Sequence, residues 1–363
     1  MRYQDMPRRD DFEIFDIHCH VNFPQKIEET LEGFKERIKE LNLDKMCILA
    51  CPRTGKRENG IVDILENLKG LYLKEQLPIP VFTFAGFIYH TDNSDDYVEH
   101  AKRMLEMGSD GFKTLEMHPE IHKEVGKGLN DPSLDPFFDF IGEMGAPMIC
   151  HVGNPRHCWT GIDAPEHIVK AGKLFGPELP TLDEIYDETE EILEKHPDVK
   201  FGFAHFFFMS DNYNRLVRIM DTYPNVYMDM TPGGEMFPNF EKNPELWRNF
   251  FIKYSKRILL GSDLYGAGYG QDRHRLVRTF FEGKGKFDFV EKNAVITALD
   301  LSDDILQDIY ANNAYRFIGY DKPKKVNREM AYEYALDIYN NHYDELTEMN
   351  KYNLKVIMDY FRK

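Results

Sequence analysis

The chain has 363 residues, 42% of them hydrophobic and 29% charged, with a formal net charge of −17. That composition excludes the disordered and fibrous classes, and the length suits one large α/β barrel, a unit that runs past ~250 residues. The acidic balance is the reverse of a phosphate-backbone binder's and speaks against nucleic acid or an anionic membrane as partner.

The first residues are polar and show no apolar secretory segment, and no apolar run nears the ~20 residues that span a bilayer. There are five cysteines, an odd number with no Cys-x-x-Cys pair, which read as reduced thiols of a cytoplasmic protein. Short apolar runs rich in Val, Ile and Phe occur at 13–20, 45–51, 80–89, 111–118, 146–152, 199–207, 225–230 and 257–263. They are too short for helices and predict strands. Amphipathic stretches predict helices between them, at 26–41, 61–76, 95–107, 133–144, 181–195, 212–222, 244–254 and 272–281. Strand then helix, eight times, with near-continuous apolar strands, predicts a closed (β/α)₈ TIM barrel. An open doubly wound sheet usually carries a glycine-rich phosphate loop after its first strand, where this chain has histidines. The long connection at 153–180 follows the fifth strand and so overhangs the mouth of such a barrel. Beyond 281 the chain is expected to stay helical. A capped helix is predicted at 301–317, with Ser302 as N-cap, and amphipathic helices over 328–362. The expected division is a barrel over 1–320 and a C-terminal helical extension over 321–363.

The chemistry concentrates at strand ends. In FDIHCH, residues 15–20, His18 and His20 are two apart on a strand and leave the same face. Two imidazoles from one strand suit Zn²⁺ or a similar divalent ion, although His-x-His alone is a weak signal. His151 closes the fifth run, His205 lies near the end of the sixth, and Asp263 closes the eighth. Each alone is readable as a hydrogen-bonded structural residue. A barrel brings all these ends to one mouth, and buried polar groups there are costly unless paired or ligating.

With Asp16-Ile17-His18-Cys19-His20, His151 with Gly153-Asn154, His205, Gly261-Ser262-Asp263 and the Asn313-Ala314 pair of the closing helix, the chain resembles the amidohydrolase superfamily over roughly residues 13–319. The branch resembled is the amidohydrolase-related one, which includes aminocarboxymuconate-semialdehyde decarboxylase. The resemblance implies that His18, His20, His151 and Asp263 hold one divalent metal. That metal is most simply Zn²⁺, with Mn²⁺, Fe²⁺ or Co²⁺ as alternatives. It also implies that His205 and Asp263 are the catalytic groups, His205 as general acid–base or electrostatic partner and Asp263 as ligand and proton acceptor. A homodimer is the assembly it implies.

On the fourth strand, Glu116 and His118 share one face and Lys113 takes the other, so Glu116 is the expected inward group. Ligand, partner of a ligating histidine and buried salt bridge are all open for it. The absence of a clear bridging lysine favours one metal. Substrate-facing candidates are Arg53, Arg156, His157, Trp159 and Tyr265, with Tyr89, His90, Arg273 and His274 as further loop residues. A surface role is an equal reading for each. His100, His122, His167, His196 and His342 read as surface residues. The leading function is metal-dependent hydrolysis of an amide, lactone or ester in a small organic molecule. The alternative is non-oxidative decarboxylation of an aromatic or unsaturated carboxylic acid, because one barrel hosts many chemistries.

Overall fold

The apolar runs form parallel strands: β1 (Phe15–His20), β2 (Lys45–Leu49), β3 (Val81–Ala85), β4 (Gly111–Met117), β5 (Met148–Val152), β6 (Phe201–Phe203), β7 (Val226–Asp229) and β8 (Ile258–Leu259), each beside its neighbour in sequence, and β9 (Leu264–Tyr265), which lies beside β1. The computed structural model describes residues 2–5, 9–21, 24–52, 63–87, 92–162, 164–170, 172, 174–266, 268 and 270–363. The ring closes between its last and first strands. The Ile17 N–H donates to the Leu260 carbonyl at 2.9 Å, and β9 pairs with the end of β1. The eighth run, 257–263, thus holds β8 and the break that follows it, and the strand resumes as β9. The break falls at Asp263, whose φ of 60° is left-handed. The architecture is an α/β TIM barrel with helices around it.

Inside the ring, Phe15, Ile17, Cys47, Leu49, Phe82, Phe84, Ile149, Tyr227 and Leu259 pack against Ala311, Ala314 and Phe317 of the closing helical segment. Asn313 fixes that segment to the entrance of β8, donating to the Ile258 and Ser255 carbonyls at 2.7 Å each. The barrel is thus plugged at the end where its strands begin, and only the other end is free for chemistry. The single helix expected at 301–317 is three pieces: Asp303–Gln307, a π-turn at Asp308–Asn312, and Asn313–Ile318.

The expectation of continuous helix after 281 is wrong. An antiparallel hairpin, β10 (Lys286–Phe289) and β11 (Ala294–Thr297), follows the helix Gln271–Glu282. Its buried residues, Phe287, Phe289 and Ile296, mark the period-2 alternation of a strand, and Asn293 turns the chain at φ 47°. The first two rings also pack edge-on against Tyr3.

Two later helices, Arg328–His342 and Glu348–Phe361, lie against the outer helices. The second grips the connections after β1 and β2. The Asn353 side chain accepts from the Ile27 N–H at 2.9 Å and donates to the Gln25 carbonyl at 3.1 Å. Asn350 accepts from Lys69 at 3.1 Å, and Lys69 pairs with Asp63. Among the described residues no helix is long and apolar enough to cross a membrane.

Candidate metal centre at the mouth of the barrel

His18 and His20 leave the end of β1 towards each other, with their Nε2 atoms 2.9 Å apart. Each Nδ1 has a partner elsewhere. His18 Nδ1 faces Asp229 Oδ2 at 2.5 Å, and His20 Nδ1 faces the Leu49 carbonyl oxygen at 2.8 Å. A carbonyl only accepts, so His20 carries its proton on Nδ1, and the carboxylate draws the His18 proton to Nδ1 in the same way. Both Nε2 lone pairs then converge with no proton between them. Asp263 Oδ1 stands 3.5 Å from His20 Nε2 and 3.9 Å from His18 Nε2. Ligand atoms of His18, His20 and Asp263 all lie within 4.8 Å of one another, the donor set and spacing a divalent cation takes.

His151, at the end of β5, has a buried Nε2 with no hydrogen-bond partner. Its ring centroid is 4.9 Å from that of His205, which in turn is 5.7 Å from that of His18. The structure therefore gathers His18, His20, His151, His205 and Asp263 at one mouth. Burial is the first cause that pushes the His18, His20, His151 and His205 imidazoles below their ordinary range, His205 to about 4. Neutral imidazoles are the form that ligates a metal or accepts a proton. Burial alone would raise the Asp263 carboxyl. Attraction to the facing His20, His18 and His205 rings and to the Arg273 guanidinium outweighs burial and holds it well below the usual carboxylate range, with Arg273 in a direct ion pair.

The β6 end departs from the strand expected over 199–207. The strand stops at Phe203, and His205, Phe206, Phe207 and Phe208 all adopt left-handed φ values of 47–58°. Such a turn costs roughly 1–2 kcal/mol per L-residue. Aromatic packing holds it. Phe207 stacks on Phe203 at 4.0 Å, and Phe206 is ringed by Phe240, Trp247, Phe250 and Phe251. The Tyr186 hydroxyl sits 3.1 Å from both the Phe207 and Phe208 carbonyl oxygens and donates to them.

Residues assigned no role from the sequence complete the mouth. Asp229 ends β7. Besides meeting His18, it accepts from the Thr231 N–H at 2.9 Å and the Thr231 hydroxyl at 2.8 Å. Burial raises it to about 6. A side chain at position 261 would meet Asp229 Oδ1 at 2.1 Å, which is why glycine stands there. Asp229 was legible in principle, as a carboxylate closing an apolar run just as Asp263 does. Asp16 accepts from the Ser262 hydroxyl and from the His18 N–H at 3.1 Å, tying β1 to the break in the eighth strand.

On β4, Lys113 pairs with Ile149, whose side chain lies inside the ring, so it takes the inner face and not the outer one expected for it. The pairing register with β5 shifts between Thr114 and Met117, so strict alternation fails across the strand. Glu116 folds back onto its own strand, accepting from the Thr114 hydroxyl and, at 2.8 Å, from the Leu115 N–H. Lys113 is the residue whose charge is felt by all four imidazoles of the mouth.

Of the substrate-facing candidates, Tyr265 on β9 faces His20, with ring centroids 5.4 Å apart. Trp159 donates to the Pro180 carbonyl at 3.0 Å and packs on Phe175, closing the long connection on itself. Arg156 is paired with Asp211 at 3.1 Å and Asp183 at 3.6 Å. His157 begins the short helix His157–Thr160 and lines a cavity of about 500 Å³ with Arg156 and Glu235. Arg53, Tyr89 and His90 lie outside the described residues. Two histidines assigned to the surface are buried. His100 bonds the Gly86 carbonyl, and His196 is stacked on Phe138 between Asp139 and Asp135.

No curated protein sequence matches the chain significantly. Solved structures with a similar fold include 4-oxalomesaconate hydratase from Rhodopseudomonas palustris. It is 15% identical, covers 90% of this chain and 99% of that one, and has a TM-score of 0.53. A 2,6-dihydroxybenzoate decarboxylase bound to 2,6-dihydroxybenzoate is 14% identical, covers 85% and 99%, and has a TM-score of 0.53. A dihydroxybenzoic acid decarboxylase from Polaromonas, with manganese and 2-nitroresorcinol bound, is 13% identical, covers 85% and 97%, and has a TM-score of 0.51. At these identities the likeness establishes the fold. The family model described as Amidohydrolase matches residues 71–320, more than half the chain, and the protein belongs to that family.

Proposed function

We propose that the protein is a metal-dependent hydrolase of a small organic substrate with an amide, lactone or ester bond. Its one divalent ion would be held by His18, His20, His151 and Asp263. The observation that supports this most directly is the approach of the two Nε2 atoms to 2.9 Å with both Nδ1 atoms engaged elsewhere. Three imidazoles and a carboxylate suit Zn²⁺ first, and Mn²⁺, Fe²⁺ or Co²⁺ by availability. Bound there, the ion would supply Lewis acidity towards a carbonyl oxygen and lower the pKa of water to about 7. Asp229 fixes the tautomer and orientation of His18, as carboxylates behind ligating histidines do. His205, neutral and 4.9 Å from His151 between ring centroids, accepts and returns the proton. Asp263, held ionised, is the second proton acceptor. Tyr265 borders the substrate space beside His20, and residues 321–363 act as an extension that braces the connections after β1 and β2.

A second reading, non-oxidative decarboxylation of an aromatic or unsaturated acid, is favoured by Lys113 and Arg273, two cations at the mouth suited to a carboxylate. The five free cysteines support a cytoplasmic setting. The test is elemental analysis of protein purified without chelator, followed by turnover of lactone, amide, ester and aromatic-acid panels. About one equivalent of metal with a new carboxylate, alcohol or amine product supports the hydrolase. Released CO₂ supports the decarboxylase. No metal, and none taken up on reconstitution, overturns both.

A further inference from the structure

Lys113 is 2% exposed, and its Nζ has no hydrogen-bond partner. A lysine ammonium taken out of water with nothing to bind is costly, and proteins keep such groups only where an anion meets them. The carboxylates around it are already engaged. Asp229 gives one oxygen to His18 and the other to Thr231. Asp263 pairs with Arg273. Glu116 is turned onto Thr114 and the backbone of its own strand. The remaining neighbours that feel the lysine charge, His18, His20, His151 and His205, are buried neutral rings that offer no negative charge. A divalent ion among those rings would add positive charge and leave the ammonium still less satisfied.

We propose that Lys113 is the anion-recognising residue of the mouth, and that the substrate is an organic acid whose carboxylate meets the Lys113 ammonium. The inference rests on the reading of the mouth as the active site and deepens it by naming the substrate class. The pairing of Lys113 with Ile149, a residue of the barrel interior, places it there. The ammonium binds and orients the acid and takes no part in proton transfer. Its removal therefore lowers affinity for acids and leaves affinity for their uncharged analogues unchanged.

The experiment is calorimetric titration of the metal-loaded protein with benzoate, cinnamate and succinate, each beside its carboxamide. In the wild type at least one acid should bind about tenfold more tightly than its amide, the scale of a charge-assisted hydrogen bond. In Lys113→Met that preference should fall to within about twofold, with metal content and circular dichroism unchanged, while Lys113→Arg should retain it. Acids binding no better than amides in the wild type overturn the proposal whether or not the variants fold. So does a Lys113→Met protein that keeps the preference, or one that loses turnover with acid affinity intact. Metal content read on the same samples separates the two levels. A wild type without metal removes the proposed function, whereas a metal-loaded wild type indifferent to charge removes only the role of Lys113.

Discussion

The ends of β1 and β6 put histidines at the same mouth by opposite means. On β1, His18 and His20 sit on a strand whose register against β2 shifts between Asp16 and Cys19, and each ring is locked through Nδ1 to a fixed acceptor, Asp229 or the Leu49 carbonyl. On β6, His205 sits in a left-handed turn of four residues, and its Nδ1 has no partner. One pair is held through the side chain and the other residue through the backbone. A ring held through its own nitrogen has one nitrogen left to give, which suits a permanent ligand. A ring placed by its backbone keeps both nitrogens uncommitted, which suits a group that accepts a proton and passes it on. The strain at 205–208 is carried by the aromatic packing around Phe206 and Phe207 and by Tyr186, so this end depends on its surroundings where the β1 end depends on its partners.

Changes on each side sharpen the contrast. The largest effect is expected at β1. His18→Ala should drop bound metal from about one equivalent to below a tenth and abolish turnover, since ligand loss removes binding and chemistry together. Elemental analysis checks it, and retained metal would move the site elsewhere. His205→Asn should keep the metal and lower turnover by about 10²–10⁴, the usual worth of a general acid–base. Near-normal kcat would place proton transfer on another group. Asp229→Ala should weaken metal affinity by about 10- to 100-fold, measured by competition with a chelator of known affinity. Asp16 gives a pH signature on the β1 side. Burial raises its carboxyl from 3.8 to about 7 in the folded chain. The stability it contributes is therefore full at low pH and is lost as pH rises through that window. Metal-free wild type should lose urea resistance between about pH 4 and 7 more steeply than Asp16→Asn does, and parallel curves would remove Asp16 from the account. The smallest effect is Tyr186→Phe. It should cost about 1 kcal/mol in urea denaturation, the net worth of a hydrogen bond, and lower turnover with metal content unchanged. A fall in metal content would show that the two ends are not independent.

What was legible in the sequence follows the same division. Strands that end in a polar residue after an apolar run, such as those closing at His20 and His151, were readable because hydrophobic period and position together define a strand end. The ring order followed from strand–helix alternation, and the closing helix from its cap and from the resemblance. What escaped was local departure from ideal geometry. Lys113 was assigned the face opposite Glu116 because a register shift has no signature in hydrophobic alternation. The left-handed turn at 205–208 was hidden because three phenylalanines in a row read as strand. His100 and His196 sit in amphipathic helical surroundings where a histidine looks exposed, and only tertiary packing against Gly86 and Phe138 buries them. The hairpin after 282 is short enough that its alternation was lost between two helical stretches.

The grip of Asn353 on Ile27 sets an order in time as well as in space. The two residues are 326 positions apart, which at translation rates of about 5–20 residues per second separates their synthesis by roughly 15–65 s. Throughout that interval the connection leaving His20 has been made but lacks its brace. The residues nearest the first two histidines are therefore made well before the residue that fastens them, and a nascent chain carries its histidine pair well before it has a finished mouth.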